Sequence, residues 1–153
     1  MRLVTLKDGT PDGALAVVSD DGTRCLKIGD SLPNLLQLME DWDAGQTILA
    51  EARQKLAAGQ GEPATAEACA APMPRSWQWL DGSAFSTHGD LMQVAFGMDP
   101  IDSDRPLMYQ GVSDRFFSPT EDVPLPSMEH GIDFEGEFGV IVDFVPMGTS
   151  AAE

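Results

Sequence analysis

The chain has 153 residues, a length that suits one ordinary domain or two small ones. Its 42% hydrophobic and 22% charged residues are globular proportions. Nine basic against 25 acidic residues give a formal net charge of −16, which excludes the basic patch that nucleic acid or an anionic membrane surface requires.

In chain order, "RLVTL" (2–6) reads as a short strand and "KDGTPDG" (7–13) as a turn-rich loop. "ALAVVS" (14–19) is a second strand, "DDG" (20–22) a tight turn, and "TRCLKI" (23–28) a third strand. Together they predict a β-meander. A helix follows in "GDSLPNLLQLMEDWDAG", with Asp30 or Ser31 as cap, Pro33 near the first helical position and Gly45 as its end. Leu35, Leu36, Leu38, Met39 and Trp42 form its apolar stripe. A second helix, "QTILAEARQKLAAG", sets Ile48, Leu49, Ala52 and Leu56 on one side. These stripes read as core.

"GQGEPATAEACAAPMPRS" (59–76), with three prolines and few large apolar residues, reads as a linker between two units. The expected domains are 1–72 and 73–153. Charge follows the same division: residues 1–80 hold 7 basic and 11 acidic side chains, net −4, and residues 81–153 hold 2 and 14, net −12. That surplus of carboxylates suits a divalent cation, or solubility alone. Cys25 and Cys69 stand in unlike contexts with no CxxC or Cys/His cluster, so the expectation is a reduced, cytoplasmic protein with buried thiols. "MRLVTLKDG" has no leader-like apolar core, and no run approaches the ~20 apolar residues that span a bilayer.

Beyond Trp77, a helix is predicted through 88–96, "RPLMYQG" and "SPTEDVPLP" read as loops or edge pieces, and "GIDFEGEFGVIVDFV" (131–145) reads as a strand. In that strand Asp133, Glu135 and Glu137 share one face, while Phe134, Gly136, Phe138, Val140 and Val142 make an opposite, core-like face. Carboxylates roughly 7 Å apart repel one another. Two readings stand: a site for a hard cation, or a solvent-exposed acidic face. His88, seven residues after Asp81, is either a general base or an ordinary surface histidine. Tyr109, the sole tyrosine, is either a substrate contact or a core aromatic with a wet tip. A strand with so apolar a face needs partners and a second layer, and residues 77–153 offer few, so the C-terminal unit is expected to be incomplete.

Four pieces, in order, resemble the fumarylacetoacetate hydrolase family, and its bacterial branch in particular. They are "KDGTPDGALAVVS", "WLDGSAFSTH", "PLMYQG" and "DFEGEF". The resemblance implies an α+β protein: a small β-meander with helices, then the first part of a β-rich catalytic domain. It implies Asp81, Glu135 and Glu137 as ligands of Mg²⁺ or Ca²⁺, His88 as general base, and Tyr109 as a substrate contact. Asp133 matches the motif's first acid, which is not usually a direct ligand. Ser83 stands where the mammalian-type pattern has a substrate-binding tyrosine, and Phe85 where tyrosine is common in this branch.

The implied reaction is hydrolysis of a carbon–carbon bond in a β-diketo acid, with fumarylacetoacetate giving fumarate and acetoacetate, the last step of tyrosine breakdown. The cation serves as Lewis acid and His88 activates water. Family members form homodimers and carry further ligands and an acid that orients the histidine, beyond the position of residue 153. The expectation is therefore a truncated chain with little activity of its own. Three other readings compete: an inactive chain that pairs with a fuller copy, a related acylpyruvate hydrolase or decarboxylase, and an unrelated acidic binding module.

Overall fold

In the computed structural model, which describes residues 1–83, 85–99, 105–132, 134–142 and 144–152, the three expected strands form where the sequence puts them. They are β1 (Arg2–Leu6), β2 (Ala14–Val18) and β3 (Arg24–Lys27). All pair antiparallel, with Val4 opposite Ala16 and Val17 opposite Leu26. The β2–β3 turn is closed by Asp21, whose Oδ1 accepts from the Ser19 hydroxyl and from the Thr23 amide and hydroxyl. In the β1–β2 loop the Asp8 carboxylate accepts from the Thr10 amide and hydroxyl, and Thr10 Oγ1 accepts from the Gly13 amide. Gly13 then enters β2 at φ +63°, where a Cβ would strike Thr5 and the Leu6 carbonyl.

β2 is buried along its whole length, because both faces of the sheet are covered. Leu15 and Val17 face Leu32, Leu35, Leu38, Leu49, Ala52 and Leu56 from the helical layer. Ala16 and Val18 point to the other side, with Cys25, against Val4, Leu6 and Ala64. This explains why "ALAVV" is apolar throughout rather than alternating.

The helical layer differs from the sequence expectation. α1 is short, Leu35–Glu40, and its cap is Asn34, which accepts from the Gln37 amide at 2.9 Å, rather than Asp30 or Ser31. Asp41 ends α1 and caps α2 (Trp42–Ala57), accepting from the Ala44 amide at 3.2 Å. Gly45 therefore does not end a helix. It lies in α2, where a Cβ would meet the buried Leu38 side chain, so the glycine serves close helix approach.

Residues 59–76, expected as a linker, are built into the sheet. β4 (Glu62–Pro63) pairs antiparallel with β3 at one edge. The chain then passes to the far edge, where Lys7 donates to the Ala68 carbonyl and Ala70 donates to the Thr5 carbonyl, both at 2.8 Å. The Thr5 hydroxyl, fully buried, donates to the Pro72 carbonyl. These bonds satisfy backbone groups that two open sheet edges would leave bare.

The second part holds a separate two-stranded ladder. β5 (Leu80–Ser83) pairs antiparallel with β6 (Leu107–Gln110), and α3 (Ser86–Phe96) lies between them in sequence and against β5 in space. Residues 114–121 return to the first sheet: Phe116 donates to the Pro74 carbonyl, and Ser118 is buried. The elements agree with a mixed α+β class.

The expectation of a strand over 131–145 is corrected for the described residues 134–142, which belong to no strand. Phe138 and Val140, read as core, are 95% and 82% exposed. Among the described residues no neighbouring strand offers 135–142 a ladder and no second layer covers them, so burial does not drive strand formation here. Glycines at 136 and 139 weaken the intrinsic preference further. Asp133 lies outside the described residues.

Candidate active site

The β5–β6 ladder brings together residues that are 28 apart in sequence. Asp81 and Tyr109 are direct cross-strand partners. The Tyr109 hydroxyl donates to Asp81 Oδ2 at 2.8 Å. Ser83 is two residues from Asp81 and so on the same face of β5. Its partner on β6 is Leu107, and its side chain is exposed.

His88 sits in the first turn of α3, its amide donating to the Phe85 carbonyl at 3.1 Å. Its imidazole is exposed and has no hydrogen-bond partner among the described residues. The ladder and the helix thus place Asp81 and His88 on adjoining elements without bonding them to each other.

Residues 1–75, which span β1 through the return segment at β1's outer edge, match the family described as Fumarylacetoacetase N-terminal domain 2. The N-terminal portion of this chain is thus similar to the N-terminal domain of the fumarylacetoacetate hydrolase family. Comparison with curated proteins gave no match. The match covers the part that precedes Asp81 rather than the ladder itself.

Beyond residues 1–75, the electrostatics of the ladder are set by its acids. The bond to Asp81 is the main cause that pushes the Tyr109 phenol above its ordinary range. Slight desolvation and the negative charges of Asp81, Glu135 and Glu137 push the same way. Both glutamates are exposed. Yet among the described residues no three His, Cys, Asp or Glu side chains converge closely enough to hold a metal ion. Three carboxylates are the right donors for a hard cation, but in this arrangement they do not form its site.

The residues that build the ladder include two that the sequence did not single out. The Trp79 indole donates from Nε1 to the Val112 carbonyl at 2.7 Å, and the Trp79 carbonyl accepts from the Gly111 amide at 3.1 Å. Its ring stands edge-on to Tyr109, 6.0 Å between centroids, and to Phe116, 5.6 Å. A Cβ on Gly111 would collide with the indole. The signal was present in "WQWLDG" and "MYQG": Trp79 is two residues before Asp81 and Gly111 two after Tyr109, on one face of a paired ladder.

Proposed function

We propose that this chain carries part of a fumarylacetoacetase-type site for hydrolysing the carbon–carbon bond of a small β-diketo acid, with fumarylacetoacetate as the favoured substrate. The observation that carries the reading is the Tyr109–Asp81 hydrogen bond, which joins two of the motifs on which the resemblance rests. Asp81, Glu135 and Glu137 are the donors for Mg²⁺ or Ca²⁺ once residues 134–142 are drawn toward the ladder. The cation, when bound, supplies Lewis acidity toward the oxygens of the diketo acid.

The chain's own residues then have separate tasks. His88 accepts a proton from the water whose oxygen attacks a substrate carbonyl. The bond between that carbon and its neighbour breaks, and the electron pair leaves with the enolate fragment. Ser83 offers its hydroxyl to the substrate, and Tyr109, whose one O–H proton goes to Asp81, meets it with the phenol oxygen as acceptor and with its ring. Turnover by these 153 residues alone is low in this reading, because the carboxylates are not gathered and the His88 imidazole has no orienting hydrogen bond among the described residues. Residual hydrolysis of fumarylacetoacetate is expected to fall about a hundredfold or more in His88→Ala. Brisk turnover that is indifferent to His88 would contradict the reading.

The exposed apolar side chains of 138–142 favour a second reading, in which the chain does no chemistry and pairs with a fuller copy of itself. A homodimer is part of either reading. The two free thiols suit a reducing, cytoplasmic setting, and no helix among the described residues is long and apolar enough to cross a membrane. An acylpyruvate hydrolase or decarboxylase uses the same donors, and a substrate panel separates these from fumarylacetoacetate hydrolysis.

A further inference from the structure

We propose that Trp79 is the positioning residue of this ladder, holding the Tyr109 phenol so that it orients the Asp81 carboxylate. The inference rests on the reading of Asp81 as a ligand for its functional meaning, but its geometry stands without it. Tyr109 is 59% exposed, so burial does not fix its ring. Its one aromatic neighbour among the described residues is Trp79. The indole is itself held at several points: the Nε1 bond to Val112, the backbone bond from Gly111, and the edge contact with Phe116. Phe116 in turn donates to the Pro74 carbonyl, so the ring is referenced to the end of the N-terminal domain.

Gly111 makes this possible. It stands directly across the ladder from Trp79, and the indole lies where a side chain would be. The consequence reaches Asp81 through one bond. With Oδ2 taken by the phenol, the carboxylate is held in one orientation, and Oδ1 has no hydrogen-bond partner among the described residues. A carboxylate fixed in this way presents one oxygen to a ligand without having to be ordered at the moment of binding.

Tyr109 is the only tyrosine, so a chain labelled with ¹³C at the tyrosine ring carbon bearing oxygen gives a single NMR resonance that reports the phenol's acceptor. Asp81→Asn marks where that resonance lies when the carboxylate is gone. Trp79→Leu is expected to move it most of the way to that mark, and Gly111→Ala, which displaces the indole, to move it likewise. Trp79→Phe, which keeps an aromatic edge, is expected to restore at least half of the shift. A role in stability alone would not give rescue by phenylalanine at this one resonance. If Trp79→Leu does not fold, Gly111→Ala decides alone. A resonance that stays at the wild-type position in the folded variants overturns the inference. The spectrum is taken without cation or substrate, so a chain that fails to hydrolyse diketo acids defeats the proposed function and leaves this result intact.

Discussion

One oxygen of Asp21 closes the β2–β3 turn, accepting from Ser19 and twice from Thr23. These bonds, led by the Ser19 hydroxyl, hold its pKa down at about 2. The sign follows from the ionised form being the bonded one. The stabilisation is fully present above the unfolded aspartate value of about 3.9 and is lost as pH falls through about 2. Carboxyl-detected NMR titration is expected to place the Asp21 midpoint well below 3.9, and in Asp21→Asn this part of the acid sensitivity disappears. An ordinary midpoint would mean that the three bonds are not kept in solution. At this scale the candidate site was only half legible. Spacing alone left Asp81, His88, Tyr109, Glu135 and Glu137 open between chemistry and surface, and the resemblance chose among the readings. Trp79 escaped because its role depends on a glycine across the ladder, a relation that no single segment displays.

The strands were legible because turn chemistry and apolar runs agreed, segment by segment. The helices were not, because Gly45 carries the sequence signal of an ending while its reason is spatial: Leu38 occupies the room a side chain would need. Asp41 could have been seen as the junction, since it both follows one apolar stripe and precedes another. The same glycine logic gives a test at Gly13. Gly13→Ala forces an L-residue to φ +63° and sets a methyl against Thr5 and the Leu6 carbonyl. A loss of about 1–2 kcal/mol is expected from the backbone alone, read as a lower urea midpoint by far-ultraviolet circular dichroism. An unchanged midpoint would show that the loop rebuilds. For the layer beneath, Leu38→Ala and Leu49→Ala, both fully buried, are each expected to lose about 2–5 kcal/mol. A loss within the range of a surface substitution would place the core elsewhere.

Across the whole molecule the two parts are built differently. Residues 1–75 have a sheet covered on both faces and closed at both edges, whereas the ladder and the acidic stretch after it leave large apolar groups in solvent. The family match to that first part and the folding pattern agree, and the linker expectation failed because proline and alanine can serve a sheet edge as well as a tether. Hydrogen exchange is expected to show slow amides in β2 and fast ones over 135–142, which have no backbone hydrogen bonds among the described residues. Protection of 135–142 equal to that of β2 would mean that the stretch is already paired. In the proposed function Asp81, Glu135 and Glu137 share one divalent cation. Calorimetric titration with Mg²⁺ and with Ca²⁺ tests it most directly, on the wild-type chain and on Asp81→Ala, Glu135→Ala and Glu137→Ala. The expected result is saturable binding at one site, weakened about tenfold or more by each substitution. Absence of binding, or binding that all three variants retain, would contradict the account.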